Sequence, residues 1–307
     1  MTLPAAAEAA LPTQDDRPTR KKSLLGALAL TGAILILEVG GGIFSHSLAL
    51  LADAAHMFAD IGALILAYAA TSLAGRAPTG RHTFGLYRAE ILAAFVNAQV
   101  LLVVSLFVGY EALRRFRQPL EIHAGAMLWV AAAAVLGNGL SMALLSRGSA
   151  ASLNLRAAYL EVFTDMLSSL AVLGVAIALP LTGWKWLDPA VSAAVAVVIL
   201  PRAIGLLKQS AHILLEGAPG EIDLPALRQR LLNLPGVLEL HDLHCWTLTS
   251  GLPSASVHIR ASAETGREEV LAAVQKLLKE TAGVDHATIQ LEWGSEMTCH
   301  ASSRRHA

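Results

Sequence analysis

Apolar residues along this chain fall into six long blocks, near 23–44, 49–74, 89–112, 124–145, 157–181 and 187–207, separated by short stretches where charge, Pro or Gly gathers. About 20 apolar residues wound into a helix cross roughly 30 Å of hydrocarbon, so the pattern predicts six transmembrane helices. Beyond Lys208 charge returns, and the apolar period switches between helix and strand. Helices are expected in "DLPALRQRLLNL" and "GREEVLAAVQKLLKETAG", and strands in "VLELHDLHCWTL", "SASVHIRAS" and "ATIQLEW". The α-β-β-α-β order predicts a small two-layer α+β domain. The expected organisation is a tail at 1–22, a six-helix membrane domain at 23–208, an α+β domain at 209–293 and a second tail at 294–307.

Composition sharpens this picture. Hydrophobic residues make up 54% of the chain and charged ones only 15%, well under the quarter usual for soluble domains, which favours a polytopic α-helical membrane protein. A formal charge of -1 and the lack of a Lys/Arg stripe give no reason to expect nucleic acid. Two cysteines, Cys245 and Cys299, argue against a disulfide framework and suit a reducing compartment. The first block follows "RPTRKK", the layout of a secretory signal, but Glu38 interrupts it, no A-x-A site follows and five further blocks do. Loop charge sets the orientation. Arg17, Arg20, Lys21, Lys22, Arg76, Arg81, Arg88, Arg147 and Arg156 oppose Arg114, Arg115, Arg117 and Lys185, which puts both termini in the cytoplasm with "RRFRQP" as the discordant loop.

The chemistry lies in the apolar blocks. Asp53, His56 and Asp60 interrupt the second block and, at 100° per residue, share an arc of about 60° on one helix face. Ionisable groups inside a membrane are expensive and default to function. The fifth block repeats the pattern with Glu161 and Asp165, four residues apart. Two helices with such pairs supply four inward ligands, His56, Asp60, Glu161 and Asp165, for a tetrahedral divalent cation; oxygen and imidazole suit Zn2+, with Cd2+, Co2+, Fe2+ and Mn2+ as alternatives. Glu38 and Asp53 are accessory carboxylates by this reading, while Gly40, Gly41 and Gly42 fit close helix contact at least as well as an ion path. Asn138 and Ser141 are expected to hydrogen-bond between helices, and Asp188 to cap its own helix ahead of Pro189. Arg88 and Glu90 stand at a membrane edge, where pairing needs no function.

These residues resemble the cation diffusion facilitators, proton-coupled exporters of zinc and other divalent metals, of the bacterial zinc type. The resemblance covers almost the whole chain through "SHSLALLADAAHMFAD", "HTFGLYRAE", "LEVFTD", "DPAVS", "LLEGAP", "LHDLHCWTLTSG" and "HATIQLE". It implies a homodimer of six-helix protomers in the bacterial inner membrane, a transport site between the second and fifth helices, and a ferredoxin-like, metallochaperone-like cytoplasmic domain that senses metal. The chain departs from the family's zinc-type pattern at Glu161, where a second His is usual. It also lacks the His-rich segments of many relatives, and "APTGRHTFGLYR" offers only His82 for an extra ion.

In the tail, period-2 alternation puts His241 and Cys245 on one strand face and His258 on the polar face of the next, so a cytoplasmic zinc site is expected from His241, His258, Glu292 and Cys245, with His244, His286, Cys299 and His300 also available. Ligands must shed protons to bind metal, so affinity is linked to pH and proton entry can drive metal exit by alternating access. Three carboxylates and one imidazole leave -1 around a divalent ion, which calls for a proton on Glu161 or a nearby cation. Along its own block only Arg156 is near, so Glu161 is expected to carry a proton. An intramembrane metalloenzyme would want a motif such as H-E-x-x-H, which is missing, and a metal-sensing receptor would want an output domain.

Overall fold

The computed structural model describes residues 17–74, 79–149, 153–249 and 251–293. Among them, six long helices run in chain order: α1 (Arg17–Ser45), α2 (Leu48–Ala74), α3 (Arg88–Arg117), α4 (Ala124–Ser149), α5 (Leu153–Thr182) and α6 (Leu187–Leu214). At about 1.5 Å per residue each is longer than the hydrocarbon thickness. Five of them, all but α2, are both long and apolar enough to cross a membrane by composition. The sixth, α2, has the length and carries Asp53, His56 and Asp60. Two compact units emerge: one takes in the described residues up to Gly62 and Gln99–Ala203, the other Ala63–Ala98 and those from Ile204 onward.

In the first unit, α2 is the central helix. Ala49 and Leu50 pack against Met127 and Ala131 of α4 and Val172 of α5. Met57 meets Ile34 of α1 and Ala134 of α4, and Ala59 meets Leu101 of α3 and Ile199 and Ala203 of α6. Small residues bring α1 and α4 together: a methyl added to Gly41 would collide with Val130, and one on Gly137 with Ile34. Outer faces are the reverse of a soluble protein's, with Trp129 and Leu181 each 79% exposed while Glu38, Asn138 and Asp188 are fully buried. Such apolar outer surface matches lipid rather than water.

Asp188 corrects a sequence expectation. Its carboxylate leaves its own helix and accepts from Ser47 Oγ (2.6 Å) and from the backbone N–H groups of Leu48 (2.9 Å) and Ala49 (3.2 Å). It caps α2, satisfying first-turn donors that no water reaches. Arg115 stands 3.8 Å from Asp188 and 3.1 Å from Glu111, and Arg114 pairs with Glu111 at 3.0 Å, so two arginines of the discordant loop are held by carboxylates.

In the second unit, α7 (Leu224–Leu232) and α8 (Arg267–Ala282) cover one face of a sheet of β1 (Val237–Thr249), β2 (Leu252–Ala261) and β3 (His286–Glu292). β1 and β2 are antiparallel, and β2 and β3, joined through α8, are parallel. Asp223 caps α7 by accepting from Ala226 N–H at 3.0 Å, and α8 stops at Gly283, whose φ of 62° is a left-handed cap. The core comprises Leu227 and Leu231 of α7, Val270, Val274 and Leu278 of α8, and Leu240, Cys245, Ala255, Val257 and Ile259 of the sheet. Elsewhere in this unit Arg88 pairs with Glu216 at 3.0 Å, and Thr249 Oγ1 donates to Glu90 at 2.6 Å.

Candidate metal centres

The i, i+4 spacing on α2 puts His56 Nε2 3.3 Å from Asp60 Oδ2. Asp165 of α5 reaches the same place, and one donor atom from each of His56, Asp60 and Asp165 lies within 4.8 Å of the others. His56 is 7% and Asp165 4% exposed, which removes bulk water as their partner. Two hard oxygens and an imidazole nitrogen in such a cage form a donor set for a borderline divalent cation.

Glu161 is not one of the three. Its carboxylate accepts from Arg202 Nη2 at 3.1 and 3.3 Å, with Asp60 beside it. Arg202 belongs to α6, 41 residues away in sequence, and follows Pro201, which cannot supply a helical N–H. The compensating cation expected along α5 comes instead from this neighbouring helix. The signal was present in "VVILPRAIG", an Arg inside an apolar block, which demands a partner.

Deeper in the bundle, Asp53 Oδ2 accepts from Ser169 Oγ at 3.2 Å, and Ser169 Oγ accepts from Asn138 Nδ2 at 3.1 Å. Asn138 thus makes the expected link between helices, whereas the buried hydroxyl of Ser141 has no partner among the described residues. Glu38 of α1 is fully buried beside Asp53.

A second cluster lies on the sheet of the second unit. His241 and His258 are direct cross-strand partners with ring centroids 5.2 Å apart. Glu292 Oε1 is 3.5 Å from His241 Nε2 and 3.4 Å from His258 Nδ1. Asp242, which sequence reasoning overlooked, groups with the two histidines, with one ligand atom of each within 4.8 Å of the others. The expected fourth donor, Cys245, is not there. Three steps along β1 from His241 to His244 match two along β2, from His258 to Ser256, and Asp242 in this bulge has φ 50°. One extra residue reverses the side-chain alternation, so Cys245 joins Leu240 in the core, 4% exposed. Burial there pushes its thiol pKa up. His82 and His244 line a cavity of about 900 Å³ with Phe84, Arg88, Glu216 and Trp246, and His286 meets the Phe84 ring edge-on at 5.8 Å. Cys299 and His300 lie outside the described residues.

Residues 24–215 match the model of the cation efflux transmembrane domain. This chain belongs to the cation diffusion facilitator family. Residues 219–293 match the cytoplasmic domain of cation efflux proteins. The chain is 44% identical to "Cation efflux system protein CzcD" of Alcaligenes sp. (strain CT14) over 273 residues, covering 89% of this chain and 86% of that one. It is 40% identical to "Zinc transporter ZitB" of Escherichia coli over 281 residues, 91% and 88% of the two chains. With "Cadmium, cobalt and zinc/H(+)-K(+) antiporter" of Bacillus subtilis it shares 36% over 277 residues, 89% of each. A member of this family is a multi-pass membrane transporter of metal cations and not an enzyme.

Proposed function

We propose that this chain exports a divalent cation, Zn2+ foremost, from the bacterial cytoplasm across the inner membrane in exchange for protons by alternating access, lowering cytoplasmic metal. Cd2+, Co2+, Fe2+ and Mn2+ fit the same donor chemistry. The observation that carries the reading is the convergence of His56, Asp60 and Asp165 inside the bundle. A carboxylate must be ionised and an imidazole neutral to hold metal, so a proton arriving at this cluster competes with the cation and releases it. The names of the relatives, which include zinc transporters and a zinc/H(+)-K(+) antiporter, support both cargo and exchange.

Asp53 and Glu38 serve as accessory carboxylates on the cation's route. Both termini face the cytoplasm on the loop-charge argument, which the pairing of Arg114 and Arg115 with Glu111 strengthens, because those two charges are partly neutralised. Protomers pair as a homodimer through the cytoplasmic domain, where His241, Asp242, His258 and Glu292 hold regulatory Zn2+. A metal-sensing receptor is the rival reading. Proteoliposomes containing the purified protein and a pH-sensitive dye separate the two: added Zn2+ should drive proton counterflow, and zinc binding without any proton movement would favour the receptor.

A further inference from the structure

Charge balance at the intramembrane cluster turns on a residue outside the ligand set. The argument rests on the proposed role of His56, Asp60 and Asp165 as ligands of a divalent cation. In their metal-binding forms Asp60, Asp165 and Glu161 carry -3 together and His56 carries nothing. A divalent ion would leave -1 stranded among apolar helices, where an unbalanced charge is costly. Arg202 removes that remainder. Its guanidinium stays protonated across the physiological range and holds Glu161 through contacts of 3.1 and 3.3 Å. It also acts electrostatically on His56, Asp60 and Asp165.

The geometry points to Arg202 as the residue that sets the charge of the transport site: paired with Glu161, it forms a neutral unit, so the site presents -2 and matches a divalent ion. Arg202 acts through Glu161 and is a positioning residue rather than a ligand. Its side chain is 56% and that of Glu161 35% exposed, so the pair is not sealed inside the bundle and the effects expected below are moderate.

The prediction is a pair of opposite shifts that cancel. Zinc binding is measured by isothermal titration calorimetry on the full-length protein in detergent, in a His241→Ala/His258→Ala background that silences the sheet cluster. Arg202→Gln leaves the site one charge too negative and should tighten Zn2+ about tenfold, whereas Glu161→Gln leaves Arg202 unbalanced and should weaken it about tenfold. The double variant Arg202→Gln/Glu161→Gln should return to within about threefold of the parent, with a coupling between the two sites in the mutant cycle. Arg202→Lys, which keeps the charge, should stay near the parent. Size-exclusion profiles matching the parent exclude misfolding as a cause.

Shifts of the same sign for Arg202→Gln and Glu161→Gln, or a double variant as displaced as the worse single one, would overturn the inference. Asp60→Asn in the same background separates this failure from that of the underlying site. If Asp60→Asn loses zinc while the cycle shows no cancellation, the site stands and the role of Arg202 falls. If Asp60→Asn binds zinc as the parent does, the site reading falls, and the role of Arg202 with it.

Discussion

The two candidate metal clusters are built on different principles. His56 and Asp60 meet because helix periodicity stacks residues four apart, and Asp165 joins them from a second helix packed close by. His241 and His258 meet because a strand register makes them partners, and a bulge decides which neighbours accompany them. The first cluster is the more enclosed, with His56 and Asp165 buried and only the Asp60 side chain, 26% exposed, open to the surroundings; in the second, the His241 side chain is 34% and that of His258 22% exposed, over a buried Glu292. A buried site whose charge must balance suits a cargo bound and released under proton control. A half-exposed one exchanges with the surrounding solution and suits a sensor. Donor type alone does not assign a role, since both clusters present imidazole and carboxylate.

The largest expected effect breaks the buried cluster. Asp60→Asn or Asp165→Asn, nearly isosteric with the parent side chains, should cut zinc flux into proteoliposomes by about 100-fold or more, since each removes a ligand and a charge. Parent-like flux in either variant would remove the distinction between the clusters. A smaller shift is expected of His56→Asp, which makes the donors all oxygen: competition assays should move preference from Zn2+ toward Mn2+ by about tenfold.

At the sheet cluster, His241→Ala/His258→Ala should abolish one class of bound zinc in calorimetry while keeping flux within about threefold of the parent at saturating metal, because the intramembrane ligands are untouched. Loss of flux comparable to that of Asp165→Asn would erase the division of labour. The smallest effect belongs to Cys245→Ala. Its buried thiol sits in the core with its pKa pushed up, so the variant should bind as much zinc as the parent and cost about 1 kcal/mol of stability in thermal unfolding. A reduced zinc count would return Cys245 to the ligand set.

Much of this was legible in the sequence because periodicity reports on local geometry. Six apolar blocks became six helices, and the α-β-β-α-β order of the tail stands as read. Spacing on two helix faces grouped His56, Asp60, Glu161 and Asp165; three of the four converge, while Glu161 is held by Arg202. Asp188, Arg202 and Cys245 were misread or missed for one shared reason: each depends on something outside its own element. Asp188 looks like a local cap, yet it serves α2 because the first turn of that helix is buried and short of acceptors. Arg202 finds Glu161 only after α6 and α5 are placed side by side. Cys245 was displaced by one inserted residue at Asp242, a change of register that alternation counted on one strand does not register.

The most direct test is X-ray absorption at the zinc K-edge on the full-length His241→Ala/His258→Ala protein loaded with one equivalent of Zn2+. With the sheet cluster removed, the spectrum reports the intramembrane site. The account predicts a shell of nitrogen and oxygen near about 2.0–2.1 Å with the multiple scattering of a single imidazole, and with no sulfur. Two or more imidazoles, a sulfur shell near about 2.3 Å, or failure to retain zinc would contradict the assignment of His56, Asp60 and Asp165 as the cation's ligands.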